Sequence, residues 1–462
     1  MFKRILIANR GEIALRVLRA CREMEIETVA VYSTADADAL HVQLATQSVC
    51  IGPPKAADSY LNQAALLTVA KATGCDAVHP GYGFLSENAD FADACGEAGL
   101  KFIGPSGSAI RKAGSKASAC ALMKAAGVPT VPGSNGPVAD ADAALKIAAK
   151  VGYPVLLKAS AGGGGRGIRK VDSPEELPAA FREASAEAVA CFGDGTMYLE
   201  KFVVNPRHIE FQILADSQGH TIHLFDRDCS VQRRNQKLIE EAPARCLTPE
   251  LRREMGAAAI RAAQAVGYEN AGTVEFLLAE DNQFYFCEMN TRVQVEHGVT
   301  EMVTGVDIVR QQIRIAAGLP LGIEQENVKL SGHAIECRVN AEDPAANFRP
   351  CPGTASFVHF PGGTGVRIDS ALYSGYTLPP YYDSLAAKVL VHAPTRLEAI
   401  RRMRRALEEL TIEGFQTNAG LSHLILYHPD YVRGVCTTAF LENHLQELVD
   451  WSRRAAESGA AT

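Results

Sequence analysis

The chain opens on a short apolar run, Ile5-Leu6-Ile7-Ala8, and Ala14, Val17, Leu18 and Cys21 then recur at helical spacing. Thr28-Val29-Ala30-Val31-Tyr32 is β-rich. The same strand–helix–strand rhythm returns through Cys75-Asp76-Ala77-Val78-His79 and Lys101-Phe102-Ile103-Gly104. This alternation predicts an α/β fold that begins with a doubly wound parallel sheet, covered by helices on both faces, over residues 1–115. A helical stretch from Lys116 to Ala126 stops at Gly127, and the Pro/Gly-rich passage from Val128 to Pro137 reads as a boundary. A smaller module is expected from 131 to 203. The remainder mixes strands and helices, and its late charged helix carries Arg401, Arg402, Arg404 and Arg405, expected as a solvated face. The end of the chain is alanine-rich.

At 462 residues the chain is too long for one ordinary core. A net charge of -7 argues against a nucleic-acid partner, which needs a basic face. No apolar run approaches the ~20 residues of a membrane helix. No signal-peptide pattern precedes the first strand, so the expected compartment is the cytoplasm. The twelve cysteines show no Cys-x-x-Cys pair, and settings such as Ala20-Cys21 and Phe286-Cys287 predict reduced, core-forming thiols.

Ala161-Gly162-Gly163-Gly164-Gly165-Arg166-Gly167 formally fits two phosphate-binding patterns, and both fail on context. A dinucleotide fingerprint must open a helix, whereas Ile168-Arg169-Lys170-Val171 reads as a strand. A P-loop needs Lys and then Ser or Thr where Ile168 and Arg169 stand. What remains is a glycine loop between two strands, able to lay bare N–H groups against phosphate oxygens, with Lys158 adding charge from the strand before it. A flexible hairpin tip without a ligand is the competing reading.

Gly272-Thr273-Val274-Glu275-Phe276-Leu277 and Phe284-Tyr285-Phe286-Cys287-Glu288-Met289-Asn290 flank the turn pair Asp281-Asn282. A hairpin centred there sets Glu275 opposite Glu288. Two carboxylates so placed repel unless a divalent cation lies between them. Asn290 adds an oxygen on the same face, and an all-oxygen set suits magnesium or manganese. Two surface glutamates are the alternative.

Downstream, Asn290-Thr291-Arg292-Val293-Gln294-Val295-Glu296-His297 alternates polar and apolar, so Arg292, Gln294 and Glu296 share a face if the segment is extended. The trio suggests an oxyanion site with a base nearby. Yet the strand spacing puts Arg292 about 13 Å from Glu296, too far for one small anion unless the chain curls. A plain Arg–Glu surface pair competes. Arg207-His208-Ile209-Glu210 and Gln232-Arg233-Arg234-Asn235-Gln236-Lys237 also mix donors and acceptors. Buried ion pairs explain them as well as a ligand does.

Taken in order, these segments resemble the biotin carboxylase family of ATP-grasp enzymes. The likeness runs from Ile7-Ala8-Asn9-Arg10-Gly11-Glu12 to about residue 446. It takes in His79-Pro80-Gly81-Tyr82-Gly83-Phe84-Leu85-Ser86-Glu87-Asn88, Lys158 with its glycine loop, and Glu288 through His297. Glu336-Cys337-Arg338-Val339-Asn340 and Pro379-Pro380-Tyr381-Tyr382-Asp383-Ser384 extend it. The resemblance implies an N-terminal domain over 1–115 and an ATP-grasp domain over 116–330 whose part 131–203 closes as a lid. A C-terminal mixed α+β domain over 331–446 and a tail over 447–462 follow.

It also implies roles. Lys116, Lys158, Gly164, Gly165, His208 and Glu200, Lys201, Phe202 and Val203 would bind ATP. Gln232, Asn235, Leu277 and Gln294 complete that binding set. Glu275, Glu288 and Asn290 would hold Mg2+ or Mn2+ against the phosphates. Lys237, Arg292 and the Val295 backbone would grip bicarbonate, Glu296 would be the base, and Arg338 would stabilise the enolate-like form of biotin. No biotin-attachment sequence appears, so biotin would arrive on a separate carrier protein, with separate carboxyltransferase subunits and a homodimer expected. Acetyl-CoA leads the expected acceptors, with propionyl-CoA, pyruvate and others open.

Two residues depart from the family pattern: Asn235 stands where histidine is usual, and Gly298 where proline is usual. Altered nucleotide affinity or turnover is the expected result. Another ATP-grasp carboxylate–amine ligase and a catalytically impaired nucleotide-binding paralogue are the rival readings.

Overall fold

A computed structural model of the chain describes residues 1–114, 116–134, 136–159, 168–192 and 194–457. Strands β1 (Arg4–Ile7), β2 (Glu27–Ser33), β3 (Gln47–Gly52), β4 (Ala77–His79) and β5 (Lys101–Phe102) form a parallel sheet ordered β3-β2-β1-β4-β5. The two-residue period of β1 divides its side chains between two cores. Leu6 packs with Val29, Val31 and Val78, while Ile5 and Ile7 pack with Val17, Leu18 and Ile313. This is the doubly wound sheet that the strand–helix rhythm predicts.

β6 (Val155–Ala159), β7 (Ile168–Val171) and β8 (Met197–Lys201) make a small antiparallel sheet ordered β7-β6-β8. With the helices Ala141–Val151 and Leu177–Phe192 it encloses a core of its own around Leu157, Val171, Ala184 and Leu199.

Eight of the remaining strands build one antiparallel sheet. Its members are β9 (Arg207–Ala215), β10 (Thr221–Arg233), β11 (Gln236–Ala242), β12 (Asn270–Leu278), β13 (Phe284–Asn290), β14 (His333–Asn340), β18 (Val366–Ser370) and β19 (Leu385–Ala393). They are ordered β13-β12-β9-β10-β11-β14-β19-β18. Two short pairs lie outside it: β15 (Glu342–Asp343) with β16 (Arg349–Pro350), and β17 (Phe357–His359) with β20 (Thr411–Glu413).

One face of the long sheet is apolar. Ile209, Phe211 and Ile213 of β9 and Val274 and Phe276 of β12 pack with Met255, Ala259 and Ala262 of the helix Pro249–Val266. Thr248 caps that helix, Pro249 opens it, and Gly267, in the left-handed region at φ +67, ends it. Ile335, Cys337 and Val339 of β14 pack with Ile400 and Met403 of the helix Arg396–Glu409, which starts on a Thr395/Glu398 capping box. The opposite face carries the polar residues of the same strands: His208, Glu210 and Gln212, then Thr273 and Glu275, then Glu336 and Arg338.

Three expectations need correction. The arginine-rich helix is a solvated face only in part: Arg401 is exposed, but Arg402, Arg404 and Arg405 donate to the carbonyls of His392, Leu426 and Gly362. Cys21 is buried, but Cys287 is exposed, so the thiols are not uniformly core-forming. Residues 447–457, expected as part of a tail, lie in the helix Phe440–Glu457, where Leu448 is buried. Among the described residues no helix is long and apolar enough to cross a membrane.

Candidate active site

The polar face of the long sheet gathers around one ammonium. Lys237, the second residue of β11, donates to Glu210 at 2.7 Å, Glu275 at 3.0 Å and Glu296 at 2.6 Å. Burial alone would lower its pKa, and the three carboxylates override that and raise it well above the ordinary value. Burial likewise opposes the charge of Glu296, but Lys237 and then Arg338 outweigh it and hold this carboxyl far below its usual range. Arg338 on β14 donates to Glu296 at 2.9 Å and to Glu240 at 2.6 Å.

Glu275 is buried and accepts from Gln294 at 2.7 Å and from Asn290 at 2.8 Å. His208 Nε2 approaches its other oxygen at 2.7 Å. Desolvation pushes the His208 pKa down, and Glu275 more than reverses this, which favours the protonated ring. Glu275 does face Glu288 across the hairpin, as expected. The geometry that achieves this differs from the expectation, however. The turn is Glu280-Asp281-Asn282, with Ala279 and Gln283 bonded across it and Asn282 at φ +63. That register pairs Phe276 with Phe286, and only a bulge at Cys287 brings Glu288 opposite Glu275. The two carboxylates are also unlike, since Glu275 is buried and Glu288 exposed.

The segment after Asn290 is not extended. β13 ends at Asn290, the chain bends, and the helix His297–Thr304 follows a turn in which His297 N–H donates to the Gln294 carbonyl at 3.3 Å. The shared strand face of Arg292, Gln294 and Glu296 is therefore replaced by a curl, the one condition under which a single small anion meets Arg292 and Glu296. Arg292 donates to Glu87 at 2.9 Å and to Asn290 at 3.1 Å. Gln294 is held by Arg227, which is wholly buried and also donates to Glu210, Gln212, Thr273 and Thr300.

Of the other expected nucleotide contacts, Lys158 on β6 pairs with Glu200 on β8. The ammonium of Lys201 is taken by the carbonyls of Gly152 and Tyr153, at 2.9 Å each. Phe202 lies under Lys170 at 5.1 Å, with Val203 next in the chain. Leu277 pairs with His208 across β12 and β9, and Gln232 donates to the Cys229 carbonyl at 3.1 Å. Asn235 is exposed at a two-residue hairpin tip, φ +66 beside Arg234 at φ +47, where asparagine is among the favoured residues. Gly298 lies in the first turn of the helix His297–Thr304, not in a loop. The β6–β7 hairpin forms as expected, but Gly164 and Gly165 and the side chain of Lys116 lie outside the described residues.

Glu87, Glu210, Arg227 and Glu240 were not singled out as site residues by the sequence. For Glu210, Arg227 and Glu240, buried within β9, β10 and β11, a signal was present, since charged residues embedded in strand-like or apolar runs must be paired if buried; Glu87, in an exposed turn, gave none. The donor set of Glu275, Glu288 and Asn290 is oxygen only and suits a hard divalent cation. Glu275 accepts from Lys237 and lies 2.7 Å from His208 Nε2, so such an ion and these two side chains compete for the same carboxylate.

Sequence models of three families match in succession: "Biotin carboxylase, N-terminal domain" at residues 1–110, "Carbamoyl-phosphate synthase L chain, ATP binding domain" at 115–324, and "Biotin carboxylase C-terminal domain" at 336–443. Biotin carboxylase 1 of Bacillus subtilis is 55% identical over 96% of this chain and 99% of its own. The biotin carboxylase of Campylobacter jejuni superposes with a TM-score of 0.90 at 49% identity, covering 96% of this chain and 99% of that one. The biotin carboxylase domain of Hydrogenobacter thermophilus 2-oxoglutarate carboxylase, a dimer solved with MgADP, ADP and bicarbonate, gives 0.89 at 51%, covering 97% and 99%. With such matches over nearly its whole length, the chain belongs to the biotin carboxylase family, enzymes of the ATP-grasp type.

Proposed function

We propose that the chain uses ATP and bicarbonate to carboxylate biotin carried on a separate protein, through carboxyphosphate. The observation that carries this reading is the convergence of Lys237 and Arg338 on the buried, ionised Glu296, with Arg292 nearby. In this arrangement the cations suppress the basicity of Glu296. An incoming bicarbonate draws Lys237 and Arg292 to its own oxygens. Glu296 then becomes a stronger base as bicarbonate becomes a stronger acid. The deprotonated oxygen attacks the terminal phosphorus of ATP, ADP leaves, and carboxyphosphate forms. Its breakdown yields carbon dioxide and phosphate, and the phosphate takes the ureido proton of biotin. The biotin nitrogen attacks carbon dioxide while Arg338 faces the enolate-like oxygen.

Magnesium or manganese on Glu275, Glu288 and Asn290 would supply neutralisation of phosphate charge. The nucleotide would lie between the Lys158/Glu200–Val203 sheet and the His208/Gln232/Leu277 side, with Lys116, Gly164, Gly165 and Asn235 at its edges. Carboxyphosphate hydrolyses in water, so residues 131–203 are read as a lid.

The wider setting proposed is a cytoplasmic homodimer. It would work with a biotin carboxyl carrier protein and separate carboxyltransferase subunits, acetyl-CoA being the leading acceptor. The dimeric relative supports the homodimer. That relative belongs to a 2-oxoglutarate carboxylase, whose name gives an acceptor other than acetyl-CoA.

The test is ATP cleavage measured with and without bicarbonate and free biotin. Wild type should require bicarbonate. Glu275→Gln with Glu288→Gln should lose at least about a hundredfold in turnover, as the loss of a major transition-state electrostatic group does. Undiminished biotin carboxylation by the double variant would end the reading.

A further inference from the structure

Lys388 has no part in the chemistry above. It sits on β19 with its side chain fully shielded from water. Its ammonium donates to the Val295 carbonyl at 2.7 Å and lies 3.2 Å from Glu12 and 3.7 Å from Asp369. Burial opposes the charge of this ammonium, and Glu12, Glu336 and Asp369 together override it. A buried ammonium needs anionic neighbours, and two carboxylates flank it directly. Its shortest bond nevertheless goes to a backbone carbonyl of the curled segment.

That carbonyl belongs to the peptide joining Val295 to Glu296. Fixing it sets the peptide plane from which the Glu296 side chain leaves. The curl has no strand ladder to hold it, because β13 stops at Asn290. Arg227 anchors the segment on one side through Gln294 at 2.8 Å. Lys388 anchors it on the other, from the far part of the long sheet. Through Glu12, which accepts from Tyr82, the same ammonium ties the segment to the helix Gly11–Glu23 of the N-terminal domain.

We infer that Lys388 is a positioning residue: it holds the Val295 carbonyl so that Arg292, the Val295 backbone and Glu296 converge on bicarbonate. This inference rests on the proposed use of bicarbonate.

The experiment compares wild type, Lys388→Met, and Lys388→Met with Glu12→Gln, the last also removing the charge of Glu12, the carboxylate nearest the lost ammonium. Bicarbonate-dependent ATP cleavage is read with circular dichroism as a check of folding. The expected result is a KM for bicarbonate raised at least tenfold in both variants, with the KM for ATP within twofold of wild type. A KM for bicarbonate within twofold of wild type in the folded double variant overturns the inference. So does a parallel rise of both KM values, or loss of the folded state in both variants, since either makes Lys388 a part of the core only. Wild type that cleaves ATP without regard to bicarbonate would instead sink the functional reading beneath it.

Discussion

Gly298 shows how a single departure from a family pattern is absorbed. A Cβ built on it would come within 2.4 Å of Leu390 Cδ2, so the leucine fills the space that a side chain would need. Leu390 is itself fully buried. Proline is tolerated in the first turn of a helix, where its missing N–H is not needed. Gly298→Pro should therefore destabilise the chain by overpacking, about 1–3 kcal/mol. The same change with Leu390→Val should recover part of that loss, although Leu390→Val alone is destabilising. Urea midpoints of the four proteins form a cycle, and additivity within about 0.5 kcal/mol would refute this packing account.

His79 permits a second test at this scale. Its ring is buried, Nδ1 accepts from Gly81 N–H at 3.0 Å, and burial depresses its pKa to about 3. As pH falls below the ordinary value near 6.5, the unfolded chain takes up a proton that the folded chain refuses until about pH 3. The stability present above 6.5 is thus lost through that window, by up to about 1.4 kcal/mol per pH unit. His79→Asn keeps an acceptor for Gly81 and removes the titration. Its urea midpoint should fall less than that of wild type between pH 7.5 and 5.0, and parallel falls would disprove it. Lys388 could have been noticed at this scale too, as a lone lysine in the apolar run Leu385-Ala386-Ala387-Lys388-Val389-Leu390-Val391. The sequence does not say which carbonyl it meets, because Val295 is distant in the chain.

Among the elements, the first sheet and the β6–β7 hairpin follow local patterns and were legible. The acidic hairpin was legible for an incomplete reason. A two-residue turn and a regular ladder predict the Glu275–Glu288 pair. The chain reaches the same pair with a three-residue turn plus a bulge, two offsets that cancel. The curl after Asn290 was not legible, since alternation of polar and apolar residues there reflects buried partners such as Arg227, not strand pleat. The β7-β6-β8 unit has a core separate from that of the long sheet. If it closes over nucleotide, limited proteolysis should nick residues 131–203 first, and ATP should slow that cleavage severalfold. Equal cutting with and without ATP would rule out closure.

For the molecule as a whole, the family resemblance implies a division near residue 330, and two of the matched family segments end and begin on either side of it. The long sheet ignores that division. β14 pairs with β11 through Ile239–Cys337, Glu240–Glu336 and Glu241–Ile335, joining strands from both segments in one ladder. Polar links cross the same line: Arg338 binds Glu240 and Glu296, and Arg396 binds Glu241 at 2.6 and 2.9 Å. Removing everything after residue 330 would leave β11 with an open edge and strand Glu240, Glu241 and Glu296 without their arginines. Unpaired buried charge of that kind is costly, and an exposed apolar edge invites association. The long sheet and its C-terminal part should therefore unfold in one transition, distinct from that of the β7-β6-β8 unit. The fragment 1–330 should be aggregated or unfolded rather than an isolated nucleotide-binding module. Calorimetry of the full chain and sedimentation of the fragment test both statements. A monomeric, cooperatively melting 1–330 fragment would show that the shared ladder is dispensable.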